Sequence, residues 1–421
     1  MNKVILHIDV NSAFLSWEAV YRLNFLGGMV DLREIPSVVG GDQNKRRGVV
    51  LAKSTLANKY HIQTGETILE ATRKCPDLTI VPPNYGLYET SSKAFMEILR
   101  EYTPYVEQYS IDEAFIDVTA VVHFYGTGEK LAYFIKDRIQ EELGFTVNIG
   151  VAENKLLAKM ASDFTKPNRV HTLWKEEIPL KMWPLSVREL FYVGRATENK
   201  LYTLGIRTIG ELAHTERKIL QAHLKKQGEV VWNYANGIDE TPLQYEPTKN
   251  KGYGNSTTLP QDVTDAQMAK HVLLSLVETI ARRLRTDRMR AEVISVGIKD
   301  YDLQYASHQK TLHNGTNITN ELYEYACQAF DELWRGVPIR HLGVQVSKVS
   351  EGEGMRQMSF FEKEEAYEKW EEVDATMDQL RNKFGMDIVK RATFLESEID
   401  HMTGGVSRER RSVNYDEEEI L

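Results

Sequence analysis

The run Tyr109-Ser110-Ile111-Asp112-Glu113-Ala114-Phe115-Ile116-Asp117-Val118 places two adjacent carboxylates in a stretch that otherwise reads as β-strand. Ile111, Phe115, Ile116 and Val118 supply the β-branched and aromatic content of a strand. Neighbouring carboxylates in an apolar strand are costly unless something neutralises them. A hard divalent cation would do so, and an Asp-Glu pair suits Mg²⁺. An exposed strand end or turn is the bland alternative, and an isolated Asp-Glu would not exclude it.

A second stretch weighs against that alternative. Val4-Ile5-Leu6-His7-Ile8-Asp9-Val10-Asn11-Ser12-Ala13-Phe14 is a short apolar strand that delivers Asp9 at its end, before a helical pattern from Leu15 to Leu23. Two such strands side by side can aim three carboxylates at one point, the arrangement used for two-metal displacement at phosphorus. Ile8 to Phe14, together with Ser110-Ile111-Asp112-Glu113-Ala114, resembles the signature pair of the Y-family, or translesion, DNA polymerases. The similarity runs from the first residue to about Val349.

Bulk properties bound this reading. With 421 residues the chain exceeds one ordinary domain, and an apolar fraction of 42% is normal for sizeable cores. Cys75 and Cys327 are too far apart for metal spacing or a disulfide framework and are expected to be free thiols. No run approaches the roughly 20 apolar residues of a membrane span, and the N-terminus enters a strand directly. A cytoplasmic, monomeric protein is expected. The net charge of −9 is unevenly spread: residues 351–421 hold ten Lys/Arg against nineteen Asp/Glu, so residues 1–350 are neutral overall. A neutral body can still carry a basic groove.

The resemblance implies an α+β right-hand polymerase. Its ferredoxin-like palm would span residues 1–29 and 82–178, with helices covering one face of an antiparallel sheet. Small fingers would occupy 30–81, a helix-hairpin-helix thumb 179–241, a linker 242–256 and an αβ little finger 257–350. It also implies two Mg²⁺ ions, with Asp9 and Asp112 as metal ligands, Glu113 as ligand or positioner near the primer end, and the Val10 carbonyl joining them. Phe14 falls at the steric-gate position that excludes a ribose 2′-OH; plain core packing is the alternative. Lys166, before Pro167-Asn168, matches the lysine that contacts the triphosphate, although Arg169 stands where Gly is usual.

The fingers depart from the family. Thr55 and Asn58 occupy positions where a Tyr and an Arg usually grip the phosphates. Lys53 or Lys59 could supply the missing charge, or both could be solvated surface lysines. In the thumb, Phe191-Tyr192-Val193-Gly194-Arg195 resembles a hairpin that would offer Gly194 and Arg195 to a DNA phosphate. Tyr192 replaces its first glycine, and a helix pair that merely packs is the alternative. Arg282, Arg283, Arg285, Arg288 and Arg290 cluster at a helix end in the little finger. Charge runs are often solvated faces, but DNA contact by Arg283, Arg285 and Arg288 is expected.

Beyond Phe361 the chain is acidic. Trp370, Val373, Met377, Leu380 and Phe384 fall at spacings of three and four, which predicts a helix docked by an apolar stripe, followed by a disordered tail from Thr403. Gln357-Met358-Ser359-Phe360-Phe361 resembles the short peptide with which bacterial polymerases hold the sliding clamp; a pocket on the protein itself is the alternative. Expected partners are primer-template DNA, dNTPs and that clamp, with no membrane. The resulting expectation is a template-directed DNA polymerase. A non-catalytic DNA-bound scaffold is the rival, and a nucleotidyl cyclase would not need the thumb and little-finger segments.

Overall fold

The computed structural model describes residues 3–41, 48–246, 249–351, 364–395, 399, 401 and 402. The basic turn from Gln43 to Arg47, Gln357–Phe361 and the tail from Thr403 lie outside the described residues. Two compact units emerge, one from residues 3–40 and 49–246, the other from 249 onward.

The first unit is organised by β1 (Ile5–Val10), which is followed by α1 (Ala13–Phe25). The fingers segment contributes β2 (Ser37–Gly40), β3 (Val50–Lys53), α2 (Ile68–Lys74) and β4 (Thr79–Val81), in a three-stranded sheet of order β3-β2-β4. Its small core joins Val38, Val50, Ile62, Ile68 and Leu78. A helix over Ser54–Tyr60 is expected, but only a 3₁₀ turn forms, at Ala57–Tyr60. The Ser54 hydroxyl accepts from both Ser37 N–H and Ala57 N–H, which holds this short turn against β2.

The chain then forms α3 (Tyr85–Tyr102), β5 (Val106–Gln108), β6 (Glu113–Asp117), α4 (Gly128–Leu143), β7 (Val147–Ala152), α5 (Lys155–Ser162) and β8 (Val170–Thr172). The palm sheet has the order β5-β6-β1-β7-β8, antiparallel except for the β7–β8 pair. Period-2 alternation divides β1 between two cores. Leu6, Ile8 and Val10 join Phe95, Leu99, Leu131, Ile135 and Ile139 of α3 and α4 on one face. Ile5 joins Phe115 and the apolar residues of α5 on the other. Each such fully buried side chain contributes about 1.5–3 kcal/mol, so β1 is fixed from both sides.

Helices therefore cover both faces of the sheet, not one. Gly150 is the reason: a Cβ there would lie 1.9 Å from the Ala158 carbonyl oxygen and 2.5 Å from Ser162 N. Lacking one, β7 lets the α5 backbone settle directly on the sheet. Four more short helices and a turn of helix complete the unit: α6 (Ile178–Lys181), α7 (Arg195–Thr203), α8 (Ile209–His214), α9 (Arg217–Leu224) and α10 (Lys226–Ala235).

The second unit comprises β9 (Gly252–Val263), α11 (Ala266–Thr286), β10 (Met289–Asp300), β11 (Tyr305–Thr316), α12 (Thr319–Leu333), β12 (Ile339–Glu351) and α13 (Glu364–Phe384). Its antiparallel sheet has the order β11-β10-β12-β9, with α11 and α12 packed on it. The linker expected over 242–256 stops short, because Gly252 already pairs with β12. A Cβ on Gly252 would meet the Val346 carbonyl oxygen at 2.6 Å, so this glycine serves close strand packing.

The docking of α13 also departs from expectation. Asp374 and Arg381 are buried, whereas Val373 and Phe384 of the apolar stripe are exposed. Asp374 accepts from Thr319 N–H at 2.7 Å and so caps α12, whose own N-cap residue, Ile318, makes no side-chain bond. The docked face is mixed: Trp370, Met377 and Leu380 are half-buried beside Asp374 and Arg381, because the surface beneath offers arginines and Glu278 as well as apolar groups.

Candidate active site

Antiparallel pairing of β1 with β6 sets Asp9 directly opposite Glu113, and pairing of β1 with β7 sets Asp9 opposite Asn148. Cross-strand partners share a face, so Glu113, Asp9 and Asn148 form a row at one end of the sheet. That face is the one carrying α5. Asp112 lies one residue before β6, on a bend and not in the strand as its surroundings suggest. Its backbone carbonyl accepts from Val10 N–H at 3.0 Å, which ties the two acid-bearing segments together. Ser110 Oγ donates to Asp112 Oδ1 at 2.6 Å and fixes the carboxylate.

The chain supplies positive charge to this row. Lys166 Nζ lies 2.9 Å from Asp9 Oδ2 and 2.8 Å from Asp163 Oδ1. Lys159 Nζ lies 2.7 Å from Glu113 Oε2, flanked by the rings of Tyr109 and Phe191 at 5.3 and 5.5 Å. His7 is fully buried beneath Glu113, its Nε2 3.5 Å from Oε2 and its Nδ1 2.7 Å from Ser162 Oγ. Burial lowers the His7 pKa, against the pull of Glu113.

The opposed carboxylates titrate apart. Burial pushes Asp9 up to about 6, against the pull of Lys166. Burial would raise Glu113 as well, but His7 and Lys159 outweigh it and hold that carboxyl down at about 2. Lys166 is itself raised, because Asp9 and Asp163 override its own burial. Paired titratable groups pushed in opposite directions mark sites of acid-base or metal chemistry.

Among the described residues there is no ready-made cage of three or more His, Cys, Asp or Glu side chains around an ion position. The donor chemistry nevertheless fits a hard divalent cation. Asp9 is a desolvated carboxylate whose pKa is raised for want of more positive charge, and the neighbouring donors are also oxygens. Val10 is buried at the end of β1 beside them.

Phe14, on the first turn of α1, is half-buried and stacks on Tyr88 with centroids 4.4 Å apart and planes 7° apart. Trp17 and Tyr85 complete the aromatic cluster, and Tyr88 OH donates to the buried Glu18 at 3.1 Å. In the fingers, Thr55, Asn58 and Lys59 are exposed. Lys53 donates to the Ile62 carbonyl, so its ammonium is engaged within that subdomain. In the thumb, Tyr192 adopts φ +72°, the left-handed conformation that the hairpin glycine would take without cost. Gly194 is the N-cap of α7, open to solvent, and Arg195 begins the helix.

The expected DNA-contacting arginines divide. Arg285 is bound internally, to Asp378 at 2.6 Å and Asp374 at 3.0 Å, because α13 brings these acids onto it. Arg282 and Arg290 also reach α13, through Asn382 and through Tyr367 with Glu371. Arg283 and Arg288 are exposed.

Lys159, His7, Asn11 and Asn148 were not singled out by the sequence reading. His7 could have been found, since it stands two residues before Asp9 on a strand and must share its face. Lys159 needed the position of α5, which Gly150 decides.

The chain is similar to known proteins over most of its length. The model of the impB/mucB/samB family matches residues 8–163 and that of its C-terminal domain residues 250–360. The DNA polymerase-iota thumb domain model matches residues 188–239. DNA polymerase IV of Clostridium acetobutylicum is 46% identical over 94% of this chain and 100% of its own length. DNA polymerase IV of Acetivibrio thermocellus is 36% identical, over 94% of this chain and 98% of its own. A solved Y-family DNA polymerase chimera of Dbh and Dpo4 shares the fold, with a TM-score of 0.70 at 24% identity, over 83% of this chain and 100% of that one.

Proposed function

Since the chain belongs to the impB/mucB/samB family of Y-family DNA polymerases, we infer that the row at the end of β1 adds deoxynucleotides to a primer 3′ end under template direction. The protein is a DNA-directed DNA polymerase of the translesion type, serving damage tolerance. The supporting observation is the cross-strand register of Asp9 and Glu113 with Asp112 adjoining, and Lys166 folded onto Asp9.

The family works with a divalent metal. When bound, two Mg²⁺ ions held by Asp9, Asp112, Glu113 and the Val10 carbonyl would supply charge neutralisation at phosphorus and acidify the primer hydroxyl. The remaining work falls to the chain's own groups. Lys159 and His7 keep Glu113 ionised at the primer end. Lys166, 37% exposed, can transfer its ammonium from Asp9 and Asp163 to triphosphate oxygens. Lys59 is the freer of the two fingers lysines to join it where Thr55 and Asn58 stand. The Phe14 ring, backed by Tyr88, blocks the space a ribose 2′-OH needs.

Gly194 and Arg195 of the thumb, with Arg283 and Arg288 of the little finger, contact the DNA backbone without reading sequence. The sequence Gln357–Phe361, with Ser359 and the Phe360-Phe361 plug, binds the bacterial sliding clamp. Before it in the chain β12 ends at Glu351, and after it α13 begins at Glu364. The enzyme acts as a cytoplasmic monomer; among the described residues no helix is long and apolar enough to cross a membrane.

Primer extension with purified protein tests this reading. Asp112→Ala should abolish product while DNA affinity persists, and near wild-type extension would remove the site assignment. In the same assay Phe14→Ala should admit ribonucleotides. Phe360→Ala with Phe361→Ala should lose clamp stimulation but keep distributive synthesis. Unchanged ribonucleotide rejection, or unchanged stimulation, would refute the corresponding role.

A further inference from the structure

Asn148 is fully buried in β7, opposite Asp9. A buried amide is costly unless its polar atoms are satisfied. Here all are. Oδ1 accepts from Asn11 Nδ2 and from Arg169 N–H, both at 3.2 Å. Nδ2 donates to the carbonyls of Ser162 at 3.0 Å and Thr165 at 2.7 Å. An amide has two donor hydrogens and two acceptor lone pairs, so its capacity is filled. Its orientation is fixed too, because a flip would set Oδ1 against two carbonyls.

These partners are placed meaningfully. Ser162 ends α5, Thr165 directly precedes Lys166, Arg169 closes the loop, and Asn11 follows the strand that carries Asp9. Asn11 adds a tie of its own, its Oδ1 accepting from Asn168 N–H at 2.9 Å and from Thr146 Oγ1 at 3.0 Å. Residues 163–169 are thus fastened on both sides of Lys166, whose ammonium reaches Asp9.

We propose that Asn148 is a positioning residue for the incoming triphosphate: its amide fastens the loop 163–169 so that Lys166 is presented beside Asp9. This rests on the reading of Lys166 as the triphosphate contact. Asn148 touches no substrate and acts through the loop. Aspartate has its shape but cannot donate to the two carbonyls, and serine has one hydroxyl where the site needs two donors.

Single-nucleotide insertion kinetics, DNA affinity and Tm of wild type, Lys166→Ala, Asn148→Ser, Asn148→Asp and the Asn148→Ser/Lys166→Ala double variant form the test. Asn148→Ser should raise KM for dNTP about tenfold, with kcat within about threefold and DNA affinity unchanged. In the Lys166→Ala background it should add nothing, because both changes disable one contact. Should the buried charge of Asn148→Asp prevent folding, Asn148→Ser decides. Unchanged KM in Asn148→Ser, effects that multiply in the double variant, or a loss confined to Tm would each overturn the proposal. A Lys166→Ala variant with unchanged KM would fell the triphosphate reading and the proposal with it. A raised KM there, but not in Asn148→Ser, fells the proposal alone.

Discussion

The palm and the little finger each hold a cluster of opposite charges, and the two are built differently. In the palm, Asp9 pairs with a lysine that is 37% exposed and shared with the exposed Asp163. In the little finger, Glu278 and Arg381 are each only 2% exposed, and Arg391 is the other partner of Glu278. Asp374, 5% exposed, is held by Arg285 and by the α12 backbone. A partner on an open loop can exchange one anion for another. A partner in a closed network cannot leave without stranding a buried charge. Charge density alone does not separate a working site from a structural clasp; exposure and the completeness of pairing do.

The contrast can be broken most forcefully at Glu278. Glu278→Ala strips the buried Arg381 of its ion-pair partner, leaves Arg391 only the more distant Asp374, and should cost about 3–5 kcal/mol of unfolding free energy, as for other broken buried pairs. Chemical denaturation reads this directly, and a loss under 1 kcal/mol would show that the little-finger cluster is no tighter than the palm's.

A change at Asp9 should act in the opposite sense. Its folded pKa is raised from 3.8 to about 6, so its contribution to stability is complete below pH 3.8 and is lost as pH rises through 6. At pH 8 the ionised carboxylate is therefore a burden. Asp9→Asn should stabilise the metal-free protein by about 2–3 kcal/mol there and by nothing near pH 3.5. Thermal melts across that range check it; equal Tm values at pH 8 would mean that Lys166 already satisfies Asp9 fully.

The smallest expected effect concerns DNA. Arg288→Ala should reduce the slope of log affinity against log salt by about one, the share of one phosphate contact. Arg285→Ala should leave the slope unchanged while lowering Tm, since its guanidinium belongs to α13. A salt slope altered by Arg285→Ala would place that arginine on the DNA after all and weaken the distinction between the clusters.

Much of the site was legible because strand periodicity is local. Asp9, Glu113 and the strands that carry them could be read from residues two apart, and Lys166 from its company in a motif. Arg285 and two members of the α13 stripe, Val373 and Phe384, were misread for the same reason. The pattern at Arg282 to Arg290 and the spacing from Trp370 to Phe384 are true to the sequence. What each faces depends on a segment about 90 residues away, joining Arg285 to Asp374 and Asp378.

By itself the sequence determined most strands and helices, the two acid-bearing segments and their family likeness, because these follow from side-chain periodicity and short motifs. Tertiary structure decided which charges meet. Antiparallel register aligned Glu113, Asp9 and Asn148 in one row. A missing Cβ at Gly150 brought α5 close enough for Lys159 to reach Glu113. A charged helix, α13, claimed Arg282, Arg285 and Arg290 from the arginine cluster and left Arg283 and Arg288 exposed. Coulomb attraction and hydrogen bonding act over a few ångströms in space, and chain distance does not encode which groups will come within that range.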